Sequence, residues 1–399
     1  MARSPMGRTG WAALVAAVTL PMLVIGALSA LTAVPLDLET LSKARPPLHD
    51  LSRRRPRLAG ACGLNEVQAG QGCQRATAAT VDQEEVTFPS SIGQKGINPL
   101  QGTLSLPRGL SGRRPGVILM GGSGPTNRHS TSSGDLLLKL PAPFPLFDRL
   151  AEGLARQGLV VLRYDKRSCA ACYRKLYDVE QFSMADFVTD ARDAVNWLAA
   201  RPEVDPEAIV IIGHSEGAQL APLVARGDPR VKAVLLLAGT TEPMGAVITA
   251  QLERLAALRA GRGDRVGAWA HRSLAAQMKA CFDKLDGPNY DPKEECLAPA
   301  LPQRVLKEYD ALNATIPKAL GALPCPVLAV QGSLDINVHP GQIERYRELL
   351  TGNDAELHRL PGVSHPLVNA LATPEPADID PQVWAILTAF LTSVGRRSP

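Results

Sequence analysis

Residues 209–217 read Ile209-Val210-Ile211-Ile212-Gly213-His214-Ser215-Glu216-Gly217. Four β-branched apolar residues in a row predict a strand buried on both faces, as strands of a parallel sheet are. A helix is expected from Glu216 to Arg226, so the chain must turn sharply between the two at Gly-x-Ser-x-Gly. Glycines at both ends of the turn remove β-carbons that would collide there. Such a strand-to-helix turn lifts the Ser215 hydroxyl above the sheet edge. It also leaves the Glu216 N–H at the helix N-terminus, free to donate to an oxygen that is gaining negative charge.

Apolar runs of the same kind flank this stretch: Val117-Ile-Leu-Met, Val160-Val-Leu, Val234-Leu-Leu-Leu and Val327-Leu-Ala-Val. Strands are expected at Glu85–Pro89, Leu100–Leu106, Gly116–Met120, Leu159–Tyr164, Ala208–Ile212, Ala233–Ala238, Pro326–Gln331 and Glu356–Leu360. Helices are expected at Phe144–Gln157, Met184–Ala200, Gln342–Leu350 and Pro381–Val394; in the second, Phe187, Ala191, Ala194, Val195 and Leu198 form one apolar stripe behind a capping Ser183. Two opening strands followed by β-α alternation give an α/β class: a mostly parallel, eight-stranded, doubly wound sheet. Residues 242–322 interrupt the alternation with charged helical sequence far longer than a crossover needs, and are expected to form a helical cap. The catalytic body is then 84–241 plus 323–399, behind an Arg/Pro/Gly-rich linker or arm at 35–83.

A serine hydroxyl is a poor nucleophile without a base. In this kind of sheet the chain order is Ser, acid, His. The late histidines are His339, His358 and His365. His365 lies in Leu360-Pro-Gly-Val-Ser-His, a loop just after the last strand, and is the expected base. The acid should follow the preceding strand, where Gln331-Gly-Ser-Leu-Asp335 supplies Asp335; Asp354 and Glu356 stand behind it as exposed-looking alternatives. A second oxyanion donor is expected from the loop Gly121-Gly122-Ser123-Gly124-Pro125, at the N–H of Gly124 or else of Ser123. Arg163-Tyr-Asp-Lys-Arg167 ends a buried strand beside this site, and an ion-pair network holding the loops is the expected role.

Charge narrows the class further. Residues 1–80 carry nine Lys/Arg against four Asp/Glu, and the remaining 319 carry 34 against 35. A neutral body lacks the basic surface that nucleic acid requires. Arg3 and Arg8 precede the uncharged run Trp11–Val34, an order typical of an export signal, and its 24 residues could equally span a bilayer as an anchor. Export and membrane association through residues 11–34 are therefore expectations. Seven cysteines agree with an oxidising compartment: Cys62 with Cys73, Cys169 with Cys172 and Cys281 with Cys296 lie close in sequence, and Cys325 is left over. Structural disulfides or inert thiols are favoured over a redox or metal role.

In their order, Gly122-Ser-Gly-Pro-Thr-Asn, Arg163-Tyr-Asp-Lys-Arg, Gly213-His-Ser-Glu-Gly-Ala, Leu237-Ala-Gly, Gln331-Gly-Ser-Leu-Asp and Leu360-Pro-Gly-Val-Ser-His resemble bacterial α/β-hydrolase carboxylesterases, in particular the dienelactone-hydrolase-like, EstD-type esterases. The resemblance covers roughly residues 84–395. It implies an α/β-hydrolase fold and hydrolysis of short acyl esters of small molecules by Ser215, Asp335 and His365, with no metal or cofactor. A serine peptidase or acyltransferase would use the same three residues. A non-catalytic binding module would be expected to lack one of them. The sequence departs from the family pattern at Asn127-Arg-His-Ser130 and at Ser168-Cys-Ala-Ala-Cys172, both in loops near the expected site.

Overall fold

The computed structural model describes residues 49–52, 62–69, 72–92, 97–132, 144–174, 183–296, 302–371 and 378–394. The N-terminal apolar run lies outside them. Among the described residues no helix is long and apolar enough to cross a membrane.

The strands are β1 (His49–Ser52), β2 (Glu66–Ala69), β3 (Gly72–Arg75), β4 (Thr80–Phe88), β5 (Leu100–Arg108), β6 (Arg114–Met120), β7 (Thr131–Ser132), β8 (Phe144–Pro145), β9 (Val160–Tyr164), β10 (Val204–His214), β11 (Val231–Leu237), β12 (Val327–Gly332) and β13 (Ala355–Leu360). The helices are α1 (Leu146–Arg156), α2 (Ala170–Tyr173), α3 (Ala185–Ala199), α4 (Glu216–Ala225), α5 (Met244–Gly261), α6 (Arg265–Phe282), α7 (Gln303–Asn313), α8 (Ile316–Gly321), α9 (Gln342–Leu349) and α10 (Pro381–Val394). The main sheet runs β1-β13-β12-β11-β10-β6-β9-β5-β4. Its six central strands, β9 through β13 with β6, pair parallel, and β4, β5 and β1 pair antiparallel at the edges.

All eight strands expected from the sequence are present. The apolar runs are buried on both faces because a strand sends alternate side chains to opposite sides. Ile209 and Ile211 of β10 join a core with α3, α4 and α9, while Val210 and Ile212 join another with α1 and α10. The N-cap of α3 is Met184, one residue after the expected Ser183, whose Oγ accepts from Ala185 N–H and whose N–H donates to Asp186.

The segment expected as a linker or arm differs. Strand β1 extends the sheet beyond β13, β4 begins at Thr80, and β2–β3 form a hairpin tied by the Cys62–Cys73 disulfide. Leu64 N–H donates to Leu391 O, and the buried Asn65 donates to Gln157 and to Thr388 O, which fixes the hairpin on α1 and α10. This packing rests on a disulfide and on polar bonds to backbone, so it leaves no periodic apolar pattern to read. Cys169–Cys172 and Cys281–Cys296 are also paired, and Cys325 is buried outside any disulfide.

Among the described residues of 242–322 there are four helices, α5 to α8. Helices α5 and α6 are joined by the short turn Arg262–Asp264, in which Asp264 caps α6 through Gly267 N–H. Helix α5 reaches the body through Arg254, which donates to Ile336 O and Asn337 O, and through Gln251, which donates to Asn337 Oδ1. From the body, Gln219 of α4 donates to Glu242 O and Asn313 Oδ1 and accepts from Tyr309 Oη.

Candidate active site

Ser215 occupies the turn between β10 and α4 with φ 57° and ψ −120°. A non-glycine residue held there is strained, which the surrounding packing must enforce. It does so through the two glycines. A β-carbon on Gly213 would come within 2.2 Å of Gly217 O, and one on Gly217 within 2.1 Å of Met120 O. Helix α4 therefore lies against the end of β6 as no side chain would allow. The Ser215 N–H donates to Leu237 O, which ties the turn to β11.

The acid and the base hang from the carboxyl ends of the next strands along the sheet. Asp335, 3% exposed, follows β12. Its Oδ1 accepts from the N–H groups of Asn337 and Val338 and its Oδ2 from Gln331 Nε2 and His365 Nδ1, each at 2.8 Å. Both oxygens are thus fully engaged. A carboxylate can only accept, so His365 carries its proton on Nδ1 and leaves Nε2 as the free basic nitrogen. The two loops are laced together: Ser333 N–H donates to Leu360 O, Leu334 N–H to Val363 O, and Gly362 N–H to Ser333 Oγ. Gly332 makes this possible, since a β-carbon there would lie 2.2 Å from Val363 O.

His365 is brought to the serine turn by His214. The His214 Nε2–H donates to the His365 carbonyl at 2.9 Å, and the two rings lie 4.7 Å apart between centroids. Burial, reinforced by the neighbouring His365, pushes His214 down to about 3, so it stays neutral and its donor is permanent. The Asp335–His365 pair is formed, and Ser215 Oγ makes no hydrogen bond among the described residues. Asp354 and Glu356 are buried, not exposed, and they stand at the entry to β13, the opposite end from the serine turn. His358 lies buried within β13, and His339 is exposed before α9.

The glycine loop after β6 approaches Ser215 at a different residue from the one expected. A β-carbon on Gly122 would lie 3.2 Å from Ser215 Cβ and 3.6 Å from its Oγ, whereas Gly124 faces open space at φ 81°. The loop bends after Gly122, and three glycines in four positions could not disclose which one makes the approach. Gly122 is thus the glycine packed against the serine, and the two N–H groups named from the sequence, those of Ser123 and Gly124, follow it directly in the loop. Glu216 N–H stands at the first position of α4, as expected.

Every charge in Arg163–Arg167 has a partner. Arg163 pairs with Asp148, Asp165 with Arg128, Lys166 with Glu216, and Arg167, wholly buried, with Asp190. The network joins β9 to the loops around the site, as expected. His214, Gln331 and Lys166 are site residues that spacing did not single out. Each lies within or next to a motif, and only the fold turns it inward.

The chain is similar to several known proteins. A relative is esterase EstD of Thermotoga maritima, 29% identical over 292 residues, which are 72% of this chain and 62% of that protein; this chain thus spans under two thirds of its length. Similar solved structures include a hyperthermophilic esterase from the archaeon Pyrobaculum calidifontis (TM-score 0.48, 21% identity, 79% of this chain and 86% of that one) and Est1E from Butyrivibrio proteoclasticus (TM-score 0.47, 16% identity, 77% and 96%). The alpha/beta hydrolase family model matches residues 117–378, which include Ser215, Asp335 and His365. With a serine turn, an acid loop and a histidine loop in that order on a doubly wound sheet, the chain belongs to the alpha/beta hydrolase family.

Proposed function

We propose that the protein is an exported serine carboxylesterase that cleaves small-molecule esters of short acyl chain through an acyl-enzyme on Ser215. The observation that supports this reading is a strained Ser215 turn whose neighbour His214 bonds the carbonyl of His365, the histidine already paired with Asp335. As Ser215 Oγ bonds to the ester carbonyl carbon, His365 Nε2 takes its proton and the carbonyl π pair moves onto oxygen. The N–H groups of Ser123 and Glu216 hold that oxyanion. Asp335 keeps the imidazole oriented and stabilises its charged form. Collapse breaks the bond to the alcohol oxygen, which receives the proton from His365. Water then repeats the sequence on the acyl-enzyme and releases the acid. The relative named an esterase supports the choice of esters. The charged-then-apolar N-terminus and three cysteine pairs support export, with residues 11–34 as cleaved signal or membrane anchor.

The test is hydrolysis of p-nitrophenyl acetate and labelling by a fluorophosphonate. The wild type should do both, and Ser215→Ala, folded by circular dichroism, neither. A Ser215→Ala protein turning over near the wild-type rate would remove the serine from the mechanism.

A further inference from the structure

The buried cation Lys166 touches both halves of the proposed oxyanion hole. Its Nζ donates to Gly122 O at 3.0 Å and to Glu216 Oε1 at 2.7 Å, and stands 4.0 Å from the centre of the Phe187 ring. An ammonium has three N–H bonds, and these three neighbours take them all. Lys166 and Glu216 are both under a tenth exposed.

The first contact acts through peptide geometry. A trans peptide is planar, with C=O and N–H antiparallel. Lys166 Nζ and Thr126 Oγ1 both hold the Gly122 carbonyl, so the N–H of Ser123 is turned the opposite way, away from the ammonium. That peptide is the one packed beside Ser215. The second contact fixes the side chain of Glu216, whose own N–H is the other donor. One ammonium therefore joins the loop after β6 to the first residue of α4. An isolated buried ion pair adds little net stability, because desolvation offsets its attraction. A pair retained at such a point gains its value from geometry.

We propose that Lys166 is a positioning residue for acyl transfer, holding the Ser123 and Glu216 N–H groups in register with each other across Ser215. The inference rests on the serine-esterase reading.

The test uses Lys166→Met, which keeps the stem over Phe187 and removes the ammonium, and Glu216→Gln, which keeps an acceptor and removes the charge. For Lys166→Met, kcat on p-nitrophenyl acetate should fall about 100-fold, the loss typical of one disturbed oxyanion donor, with KM changed less than about threefold. The inhibition constant of a trifluoromethyl ketone, whose adduct carries the oxyanion, should rise by the same factor as kcat/KM falls. The acid limb of the pH profile should not move, because the Asp335–His365 pair is untouched. Glu216→Gln should lose about tenfold in kcat with a matching rise in the ketone constant. Wild-type kcat in folded Lys166→Met, or a ketone constant that does not follow the rate, overturns the proposal. If Lys166→Met does not fold, Glu216→Gln decides: unchanged kcat and ketone binding overturn it. Fluorophosphonate labelling separates the two levels. An unlabelled wild type removes the esterase reading and the brace together, while a labelled wild type with a fully active Lys166→Met removes the brace alone.

Discussion

Replacing Asp335 by Asn changes one atom and reverses the hydrogen-bond logic of the base. Two of the carboxylate's four bonds come from backbone N–H groups of Asn337 and Val338, and the amide oxygen of Asn can keep both. Its NH2 then faces Gln331 Nε2 and His365 Nδ1, two groups that donate to the carboxylate. Gln331 can rotate its amide and offer oxygen instead. His365 can answer only by moving its proton to Nε2, which puts a donor where the serine needs an acceptor. The wrong tautomer in a comparable triad lowers kcat on the order of 10⁴-fold, about 5.4 kcal/mol of barrier. Stability should change far less, by about 1–3 kcal/mol, because only one side-chain donor pair must readjust. The assay is kcat on p-nitrophenyl acetate at pH 7.5 together with urea unfolding. An Asp335→Asn enzyme within tenfold of wild type would refute the assignment of both the acid and the tautomer, since among the described residues no other carboxylate is bonded to His365 Nδ1.

Gly217→Ala places a β-carbon 2.1 Å from Met120 O, about 1.3 Å short of ordinary contact, with backbone on both sides. Helix α4 must move off β6, and kcat should fall about 100-fold with a destabilisation of about 1–3 kcal/mol; wild-type rates in this variant would contradict the close packing. His214 gives a pH effect whose sign is fixed. Its folded pKa of about 3 lies below the unfolded value, so the unfolded chain binds the extra proton and stability falls as pH drops from about 6.5 toward 3. Between pH 6.5 and 5 the wild type should lose about 2 kcal/mol that His214→Gln, able to keep a donor toward the His365 carbonyl, does not lose; equal slopes in urea unfolding would show that the imidazole titrates freely.

The central sheet was legible because parallel strands are buried on both faces. Ile209–Ile212 and Val327–Val330 carry that burial as unbroken apolar runs. Ser215 and Asp335 could be picked out because each follows such a strand at a turn marked by glycine, and His365 because it lies in a glycine-marked loop just after β13, whose Ala-Glu-Leu-His-Arg-Leu is no apolar run. The hairpin at residues 66–75 was not, since a disulfide and the buried Asn65 hold it and neither has a period. The approach of Gly122 was hidden for a related reason. Which glycine of a run meets a neighbour depends on where the backbone bends, and the Gly122 carbonyl is held both by Thr126, four residues on, and by Lys166, 44 residues away. The roles of His214 and Lys166 required the fold itself, because their partners are 151 and 44–50 residues away.

The order in which the strands enter the sheet has a consequence for biosynthesis. The serine turn is complete once β10, β11 and β6 have met, all encoded before residue 240, whereas the carboxylate and the imidazole arrive only with the last two strands. A nascent or truncated chain that stops short of residue 330 can carry a finished turn and still have nothing to deprotonate it. On the proposed mechanism, such a chain would lack both the proton acceptor and the acid that orients it.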